Sequence, residues 1–432
     1  MSEEEKTPQN APSTEQSSSS TSENPPSTQQ NSEPTPQNLT SKTPKPNKIN
    51  EIKLHELTMQ ALFDAYYDCR RRKRNTMQSM NFEFDQEKNL FKLYQELKDG
   101  TYQIGRSICF VVTVPKPREV WAGAFRDRIV HHLIYNAVKE RFENRFIQDT
   151  FSCIPNRGTL AGALRARDFA KRITRNYSKK AYYLKADISN YFNSINKVIL
   201  LDIIRRYVKE KWLMDLIEQV INHDPRTNVF MKSPKELWEK LPKHKSLFNA
   251  QPEKGLPIGN LTSQFFSNVY LNRIDQFVKH NLRIKYYCRY VDDMVLMHED
   301  PKYLNYCYEQ IDDFLRRNLD LVLNPKKKNM NLISRGFDFV GHVIKPNRIY
   351  LRTTIIRKSF NTIEEWKKNK NRFKDTELVD FRNKINSYLG MYKHVNGYKL
   401  RKKICEKSTT LFTASDEDFS KIFIIKNLPP ED

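Results

Sequence analysis

Residues 283–297 read RIKYYCRYVDDMVLM, so that two adjacent carboxylates, Asp292 and Asp293, lie between two apolar runs rich in β-forming residues. This pattern predicts a hairpin that displays both acids at its tip. Adjacent carboxylates repel each other, so a pair at a tight turn favours a bound cation, and Mg²⁺ prefers such hard oxygen ligands. A solvated turn explains an isolated Asp-Asp pair equally well, and other segments must decide.

A third acid, Asp187, follows the run Ala181–Ala186 (AYYLKA). The aromatic and apolar residues of this run predict a buried strand that delivers an acid at its carboxyl end. Three acids on neighbouring strands can hold two Mg²⁺ ions roughly 3.5–4 Å apart, which clamps both oxygens of an in-line phosphoryl displacement. Asp187, Asp292 and Asp293 are therefore the candidate catalytic residues.

Segments spread over residues 185–342 resemble the motifs of reverse transcriptases and follow their order. Lys185–Ile195 (KADISNYFNSI) resembles the first catalytic segment, and Tyr290–Asp293 resembles the signature hairpin. Gly255–Gln264 (GLPIGNLTSQ) occupies the place of the segment that grips template and nucleotide. Leu323–Lys328 and Gly336–His342 resemble the lysine-bearing and primer-grip segments.

The resemblance implies an α+β fold, the right-hand polymerase, with fingers, a palm made of an antiparallel sheet backed by helices, and a small helical thumb. The expected divisions are a disordered low-complexity tail over 1–48, an N-terminal helical region and fingers over 49–181, the palm over 182–345 with a helical insertion at about 198–250, and a basic thumb over 346–432. The implied activity is that of an RNA-directed DNA polymerase. Its expected partners are a template RNA, a DNA or RNA primer with the growing cDNA, and dNTPs.

Roles for individual residues follow from the same resemblance. Asp187 and Asp292 are expected to ligate two Mg²⁺ ions, for which Mn²⁺ can substitute, with Asp293 supporting and the Ile188 carbonyl completing a metal shell. Phe192 matches the aromatic residue that blocks a ribose 2′-hydroxyl. The remaining candidates for nucleotide binding are Ile258, Gly259, Arg118, Arg126, Arg128 and Lys326, and those for template or primer binding are Asn260, Ser263, Gln264, Gly341 and Arg157.

Two of these assignments leave alternatives open. Arginine and lysine side chains of polymerase fingers face the incoming triphosphate, and Arg118, Arg126, Arg128 and Arg157 all qualify for that role. Lys326 is either a proton donor to pyrophosphate or a plain phosphate contact, as Lys327 and Lys328 beside it would be.

One departure from the family pattern reduces the number of subfamilies that the chain resembles. Most reverse transcriptases carry glutamine before the glycine of the gripping segment and end it in Ser-Pro, whereas this chain has Ile258 and ends in Ser263-Gln264. The variant is similar to reverse transcriptases of diversity-generating retroelements, which make errors opposite adenine and work with a small basic accessory protein. It argues against retron and group II intron enzymes.

Ile258 offers a physical account of low fidelity. Glutamine can hydrogen-bond near the incoming nucleotide and template, while isoleucine offers only shape, so a mispair leaves no polar group unpaired. The alternative is that Ile258 is an apolar packing residue in a rearranged loop.

Charge and composition bound the remaining properties. The 432 residues carry a net charge of +23, and because the first fifty hold six acids and four lysines, the rest carries +25. Such an excess suits a phosphate-backbone partner. Six scattered cysteines indicate reduced, buried thiols. With no apolar run long enough to span a membrane, we expect a cytoplasmic protein without membrane contact.

Three functions remain in competition. The first is mutagenic copying in a diversity-generating retroelement, which a nearby template repeat and variable repeat in the genome would support. The second is a phage-defence or uncharacterised bacterial reverse transcriptase that makes cDNA for another purpose. The third is a catalytically dead RNA-binding scaffold, against which the three mutually repelling acids argue.

Overall fold

The predicted hairpin belongs to a four-stranded sheet in a computed structural model of the chain. The structure describes residues 55–71, 73, 76–113, 116–368, 375–408, 412–414 and 417–425. The tail expected over residues 1–48 lies outside this described part.

The described part contains twelve strands and fourteen α-helices. The strands are β1 Ser107–Val112, β2 Arg118–Ala122, β3 Tyr182–Asp187, β4 Val229–Met231, β5 Tyr286–Tyr290, β6 Asp293–His298, β7 Asn329–Leu332, β8 Phe337–Phe339, β9 His342–Lys345, β10 Arg348–Leu351, β11 Phe412–Ala414 and β12 Ile422–Ile424. The helices are α1 Met59–Arg70, α2 Met77–Phe84, α3 Gln86–Lys98, α4 Phe125–Glu143, α5 Thr159–Ile173, α6 Tyr191–Ser194, α7 Lys197–Arg205, α8 Lys211–Asn222, α9 Lys235–Glu239, α10 Leu261–Gln276, α11 Pro301–Leu319, α12 Thr353–Lys368, α13 Asp375–Lys393 and α14 Tyr398–Lys407.

Short polar side chains fix where several helices begin. Thr58 accepts a hydrogen bond from the Ala61 amide at the start of α1, and Asn196 does the same for two amides of α7. Asp300 caps α11, whose first residue is Pro301. These residue types satisfy the unpaired amides of a first turn, and proline fits there because its missing N–H is not needed.

The central sheet has the strand order β5-β6-β3-β7, and all its neighbouring strands are antiparallel. Both of its faces are buried. On β3, Leu184 packs into the main hydrophobic cluster together with side chains of α4, α10 and α11, while Tyr183 packs into a second cluster formed with α5, β8 and β9. Burial on both faces explains why the inner strands β3 and β6 are largely apolar in sequence.

A second sheet has the order β2-β1-β4 and lies before and within the expected insertion. We predicted a helical insertion at about 198–250, and α7, α8 and α9 confirm only part of that. Val229–Met231 instead forms β4, which pairs in parallel with β1. The pairing partner comes from more than a hundred residues away, which sequence periodicity over a short window does not reveal.

The C-terminal bundle, residues 353–425, contains helices α12, α13 and α14 around a third hydrophobic cluster. Its core includes Ile385, Leu389, Tyr392 and Ile404, all fully buried. The helices expected over residues 346–432 are present, and the two short strands β11 and β12 pair antiparallel beside them. Its role as a thumb remains a prediction.

The six cysteines are free thiols. Five are buried as predicted, but Cys153 is exposed, so the prediction is wrong at that position. Its left-handed backbone, with φ of 54°, places it in the turn before α5. Among the described residues, no helix is long and apolar enough to cross a membrane.

Candidate active site

The hairpin predicted from residues 283–297 is confirmed. Tyr290 and Asp293 are paired across β5 and β6, so Val291 and Asp292 alone form the turn. Val291 has φ of 53°, in the left-handed region that branched residues rarely adopt. Asp292 is therefore the second residue of the turn, and Asp293 begins the returning strand.

Asp187 lies directly opposite Asp293, because the β3–β6 register pairs these two residues. Each of the two carboxylates has a lysine close by. The ammonium group of Lys327 donates to Asp187 Oδ2 at 2.5 Å, and that of Lys185 lies 3.8 Å from Asp293 Oδ1. The site thus brings together three acids from two places in the sequence, Asp187 and the pair Asp292-Asp293, with two lysine cations that offset their repulsion.

The electrostatics of the acids reflect this crowding. Burial, followed by the negative charge of Asp187, raises the pKa of Asp292 to about 6. Burial also raises the pKa of Asp293 to about 6, with Lys185 opposing the rise and Asp187 adding to it. A carboxyl whose neighbours are carboxylates favours a bound cation, which removes the repulsion.

The donor set fits a hard divalent cation. Within the described ranges, no three acid, imidazole or thiol side chains stand close enough to enclose an ion as they are placed. The Lys327 ammonium, however, already places a positive charge against the Asp187 carboxylate. Because the Lys327 side chain is 51% exposed, it can move away and leave Asp187 to a metal ion. Oxygen ligands of this kind suit Mg²⁺.

The gripping segment, residues 255–264, is held between α6 and β2. The Gly255 amide donates to the Ile195 carbonyl at 2.8 Å, and the Leu256 amide donates to the Phe192 carbonyl at 2.9 Å. On the other side, the Trp121 amide of β2 donates to the Ile258 carbonyl at 2.7 Å. The segment therefore spans from the aromatic residue that follows Asp187 to the β2-β1-β4 sheet.

Gly259 has no substitute in this geometry. Its φ is 129°, and a Cβ at this position would lie 2.2 Å from the Trp121 carbonyl oxygen. Only glycine allows such an approach of two backbones. Ile258, next to it, is half-buried, and its side chain is not part of the four hydrophobic clusters of the described residues.

The four candidate arginines separate into two kinds. Arg126 pairs with Glu96 and stacks on the Tyr102 ring, 5.0 Å from its centroid. Arg128 donates to the Gly123 carbonyl at 2.7 Å and to Gln78 at 2.9 Å. Such bonds hold the start of α4 in place.

Arg157 is likewise engaged, since its Nη1 donates to the carbonyls of Ile147 and Thr150, both at 3.1 Å. Arg118 differs, because it is exposed at the start of β2. Burial raises the pKa of Tyr290, and the Arg118 guanidinium opposes that rise, so Arg118 lies within electrostatic reach of the hairpin. Arg118 is therefore exposed, whereas Arg126, Arg128 and Arg157 are held by hydrogen bonds or ion pairs within the protein.

The candidates for template or primer binding differ in their burial and in their hydrogen-bond partners. Ser263 is buried, with 4% of its surface exposed. Gln264 is half-buried, and its amide oxygen lies 3.9 Å from the Cys153 thiol. The Asn260 side chain accepts from the Gly123 amide at 3.4 Å, and the Gly341 carbonyl accepts from the Arg352 amide at 3.0 Å.

Three further predicted site residues, Ile188, Lys326 and Phe192, lie near Asp187 in the sequence or in the fold. Ile188 is buried. The residue before it, Asp187, accepts a hydrogen bond at its carbonyl from the Asn324 amide at 2.8 Å, which links this strand end to the segment before Lys326. Lys326 is exposed in the helical turn Pro325–Lys327. Phe192 is half-buried against Tyr191, at a centroid separation of 5.4 Å.

Sequence reasoning missed a chain of charges beside the acids. Lys185 lies between Asp293 and Asp338, whose Oδ2 is 3.4 Å from its ammonium, and Asp338 also pairs with Arg352. One signal was available: Lys185 precedes Asp187 by two residues, so a strand places both on one face. Nothing in the sequence alone reveals the partnership with Asp338 and Arg352.

Comparison with known proteins agrees with this geometry. A family model described as "Reverse transcriptase (RNA-dependent DNA polymerase)" matches residues 114–344, which contain all three acids. Protein YkfC of Escherichia coli is 25% identical over 285 residues, covering 58% of this chain and 69% of that protein. The group II intron-encoded protein LtrA of Lactococcus lactis is 24% identical over 195 residues, covering 44% of this chain but only 28% of its own length. With more than half of its residues matched by the family model, the chain belongs to the reverse transcriptase family and is an RNA-directed DNA polymerase.

Proposed function

We propose that the protein makes cDNA from a template RNA by two-metal nucleotidyl transfer. The observation that carries this proposal is the pairing of Asp187 with Asp293 across two strands, with Asp292 adjacent at the turn. In this proposal Asp187 and Asp292 hold both Mg²⁺ ions and Asp293 supports them. When bound, the ions acidify the primer 3′-hydroxyl and neutralise charge on the triphosphate and pyrophosphate.

The chain's own residues then bind and orient the substrates. In this proposal Arg118 contacts the triphosphate, and its support is that Arg118 is exposed and acts electrostatically on Tyr290 of the hairpin. Lys327 donates to Asp187 in the structure. In this proposal Lys327 releases Asp187 when a metal binds, and Lys326 and Lys327 then contact phosphate oxygens. The charge of +25 outside the first fifty residues supports binding of a nucleic-acid backbone.

Phe192 is proposed to select the sugar. Its main chain binds the gripping segment, and its ring is half-buried beside Tyr191. We expect Phe192→Val to raise the ratio of ribonucleotide to deoxyribonucleotide kcat/KM by about tenfold to a hundredfold, because pocket volume of this size discriminates by such factors. Single-nucleotide incorporation with matched ATP and dATP measures this ratio. Phe192→Tyr keeps the ring and serves as control; unchanged sugar selectivity in the valine variant would contradict the assignment.

We propose further that copying is error-prone opposite adenine, as in a diversity-generating retroelement. The support is the sequence of the gripping segment together with the position of Ile258 outside the hydrophobic clusters of the described residues. A small basic accessory protein and a structured template RNA belong to the same proposal, as does a cytoplasmic location.

Ile258→Gln tests the cause of infidelity. A hydrogen bond regained with the correct pair and lost with a mispair is worth about 0.5–1.5 kcal/mol, so errors opposite adenine should fall by about threefold to tenfold. Sequencing of cDNA made on a mixed-sequence RNA template measures the error spectrum. Ile258→Val keeps an apolar side chain and should retain the errors, and an unchanged spectrum in the glutamine variant would refute the explanation.

The proposed function as a whole is tested by primer extension with the purified protein, an RNA template and Mg²⁺. Metal-dependent cDNA with errors opposite adenine supports both the polymerase mechanism and the retroelement role. Accurate cDNA retains the mechanism and favours a defence enzyme. If no cDNA forms even after the accessory protein is added, the chain acts as a binding scaffold and the proposal fails.

A further inference from the structure

A fully buried ion pair lies beneath the turn of the hairpin. Arg289 on β5 and Asp275 on α10 both have 0% of their side chains exposed. They contact each other twice, through Nε to Oδ1 at 2.7 Å and through Nη2 to Oδ2 at 2.6 Å. Two parallel bonds of this kind fix the plane of a guanidinium group. The remaining nitrogen, Nη1, therefore has a set direction.

That nitrogen contacts the turn. Arg289 Nη1 donates to the Val291 carbonyl at 2.9 Å and to Asn268 Oδ1 at 3.2 Å. Val291 is the first central residue of a two-residue turn and has φ of 53°, a position that glycine usually fills. A valine keeps such a backbone only where its surroundings hold it. The bond from Arg289 is a contact of this kind, and the next residue is Asp292.

Asp275 is in turn fixed by two hydroxyl groups. Thr150 Oγ1 donates to its Oδ2 at 3.1 Å, and the Tyr287 hydroxyl donates to its Oδ1 at 2.8 Å. Together with the two guanidinium bonds, four donors thus hold one carboxylate. Each lies in the interior, where a satisfied polar network is rigid.

The same pair joins the hairpin to the segment Asp149–Ser152. The Arg289 amide donates to the Asp149 carbonyl at 2.9 Å, and the Arg289 carbonyl accepts from the Phe151 amide at 3.0 Å. Asn268, which contacts the guanidinium, also donates to the Ser152 carbonyl at 2.5 Å. The turn, α10 and this segment therefore meet at one guanidinium group.

We propose that Arg289 is a positioning residue for the polymerase reaction: it fixes the Val291 carbonyl and thereby the place of Asp292, and Asp275 holds Arg289 in position. The inference rests on the proposed function, in which Asp292 is a metal ligand. A merely structural pair would lower stability without a selective effect on turnover. A positioning pair lowers kcat while binding of primer and template is kept, since misplacement by about 1 Å can cost about a hundredfold in rate.

The experiment uses two variants and a matched control in the full-length protein. Arg289→Lys keeps the charge but loses the fork. Tyr287→Phe removes one donor to Asp275 and is mild enough to fold. Tyr270→Phe deletes an equally buried hydroxyl on α10 that donates to the Leu319 carbonyl at 2.6 Å. For each, kcat, the KM for dNTP, the Kd for primer–template and the unfolding temperature are measured with saturating Mg²⁺.

We expect Arg289→Lys to lower kcat by about tenfold to a hundredfold, and Tyr287→Phe by about threefold to tenfold, with the primer–template Kd changed less than about twofold. Tyr270→Phe should leave kcat within about twofold even if it lowers the unfolding temperature as much as Tyr287→Phe does. Equal effects of the two tyrosine variants on kcat, or a wild-type kcat in Arg289→Lys, would overturn the inference. An inactive wild-type protein would instead contradict the proposed function.

Discussion

Replacing Asp292 by asparagine is expected to lower the rate of Mg²⁺-dependent primer extension by about a thousandfold or more. Stabilisation of charge by bound metal is worth several kcal/mol, and about 1.4 kcal/mol corresponds to a factor of ten in rate. Asparagine keeps the size of the side chain but removes its charge. The turn should persist, because its pairing through Tyr290 and Asp293 does not involve the Asp292 side chain.

The matched control is Asp313→Asn on α11, where an exposed carboxylate pairs with Arg317 one helical turn away. Such a surface pair contributes little to stability. The control should therefore extend primers at the wild-type rate. Retention of more than about a tenth of the wild-type rate by Asp292→Asn at saturating Mg²⁺ would refute the role of this acid.

The Mg²⁺ concentration that the enzyme needs is expected to depend strongly on pH. Burial raises the pKa of both Asp292 and Asp293 to about 6. A metal ligand must be deprotonated, so protons compete with Mg²⁺ as pH falls through about 6. With both carboxyls titrating, we expect the half-saturating Mg²⁺ concentration to rise by about a hundredfold between about pH 7 and about pH 5, since each required deprotonation contributes about tenfold.

Titrations of the extension rate with Mg²⁺ at fixed ionic strength measure this dependence, and the unfolding temperature at each pH shows that the fold is retained. Asp293→Asn leaves one titrating carboxyl and should reduce the change to about tenfold, whatever its rate at saturation. A half-saturating concentration that varies by less than about threefold over this range would show that these acids do not compete for the metal.

Much of this site was predictable because its signals are local. The turn at Val291-Asp292 and the strand before Asp187 are each encoded within about ten residues, as alternation and turn chemistry usually are. The register that brings Asp187 opposite Asp293 agrees with the expectation of acids on neighbouring strands.

Other features depend on partners far away in the sequence. Arg126 contacts Glu96 and Arg128 contacts Gln78, and neither contact can be read from the sequence. The three consecutive lysines after Pro325 are chemically alike, and the helical turn Pro325–Lys327 decides that Lys327 reaches Asp187. Periodicity carries no information about either choice.

The buried network of Arg289 and Asp275 under the hairpin could not be predicted from the sequence, for a further reason. Asp275 occurs in the helical sequence LTSQFFSNVYLNRIDQ, where an acid usually marks a solvent-facing position. Only the fold shows that Thr150, Tyr287 and Arg289 surround it. A charge inside an otherwise apolar helix face is a signal worth following, because burial of an unpaired carboxylate is so unfavourable.

The strand order β5-β6-β3-β7 also determines how early the central sheet can fold during synthesis on the ribosome. Asp187 and its partner Lys327 are 140 residues apart, and β3 pairs on both sides with strands made after it. At about 5–20 residues per second, β3 waits roughly 5–20 s for β6 to be synthesised, with both apolar faces and both edges open. Non-local pairing of this kind folds slowly and exposes the nascent chain to aggregation. The catalytic centre therefore cannot assemble before β6 has been synthesised.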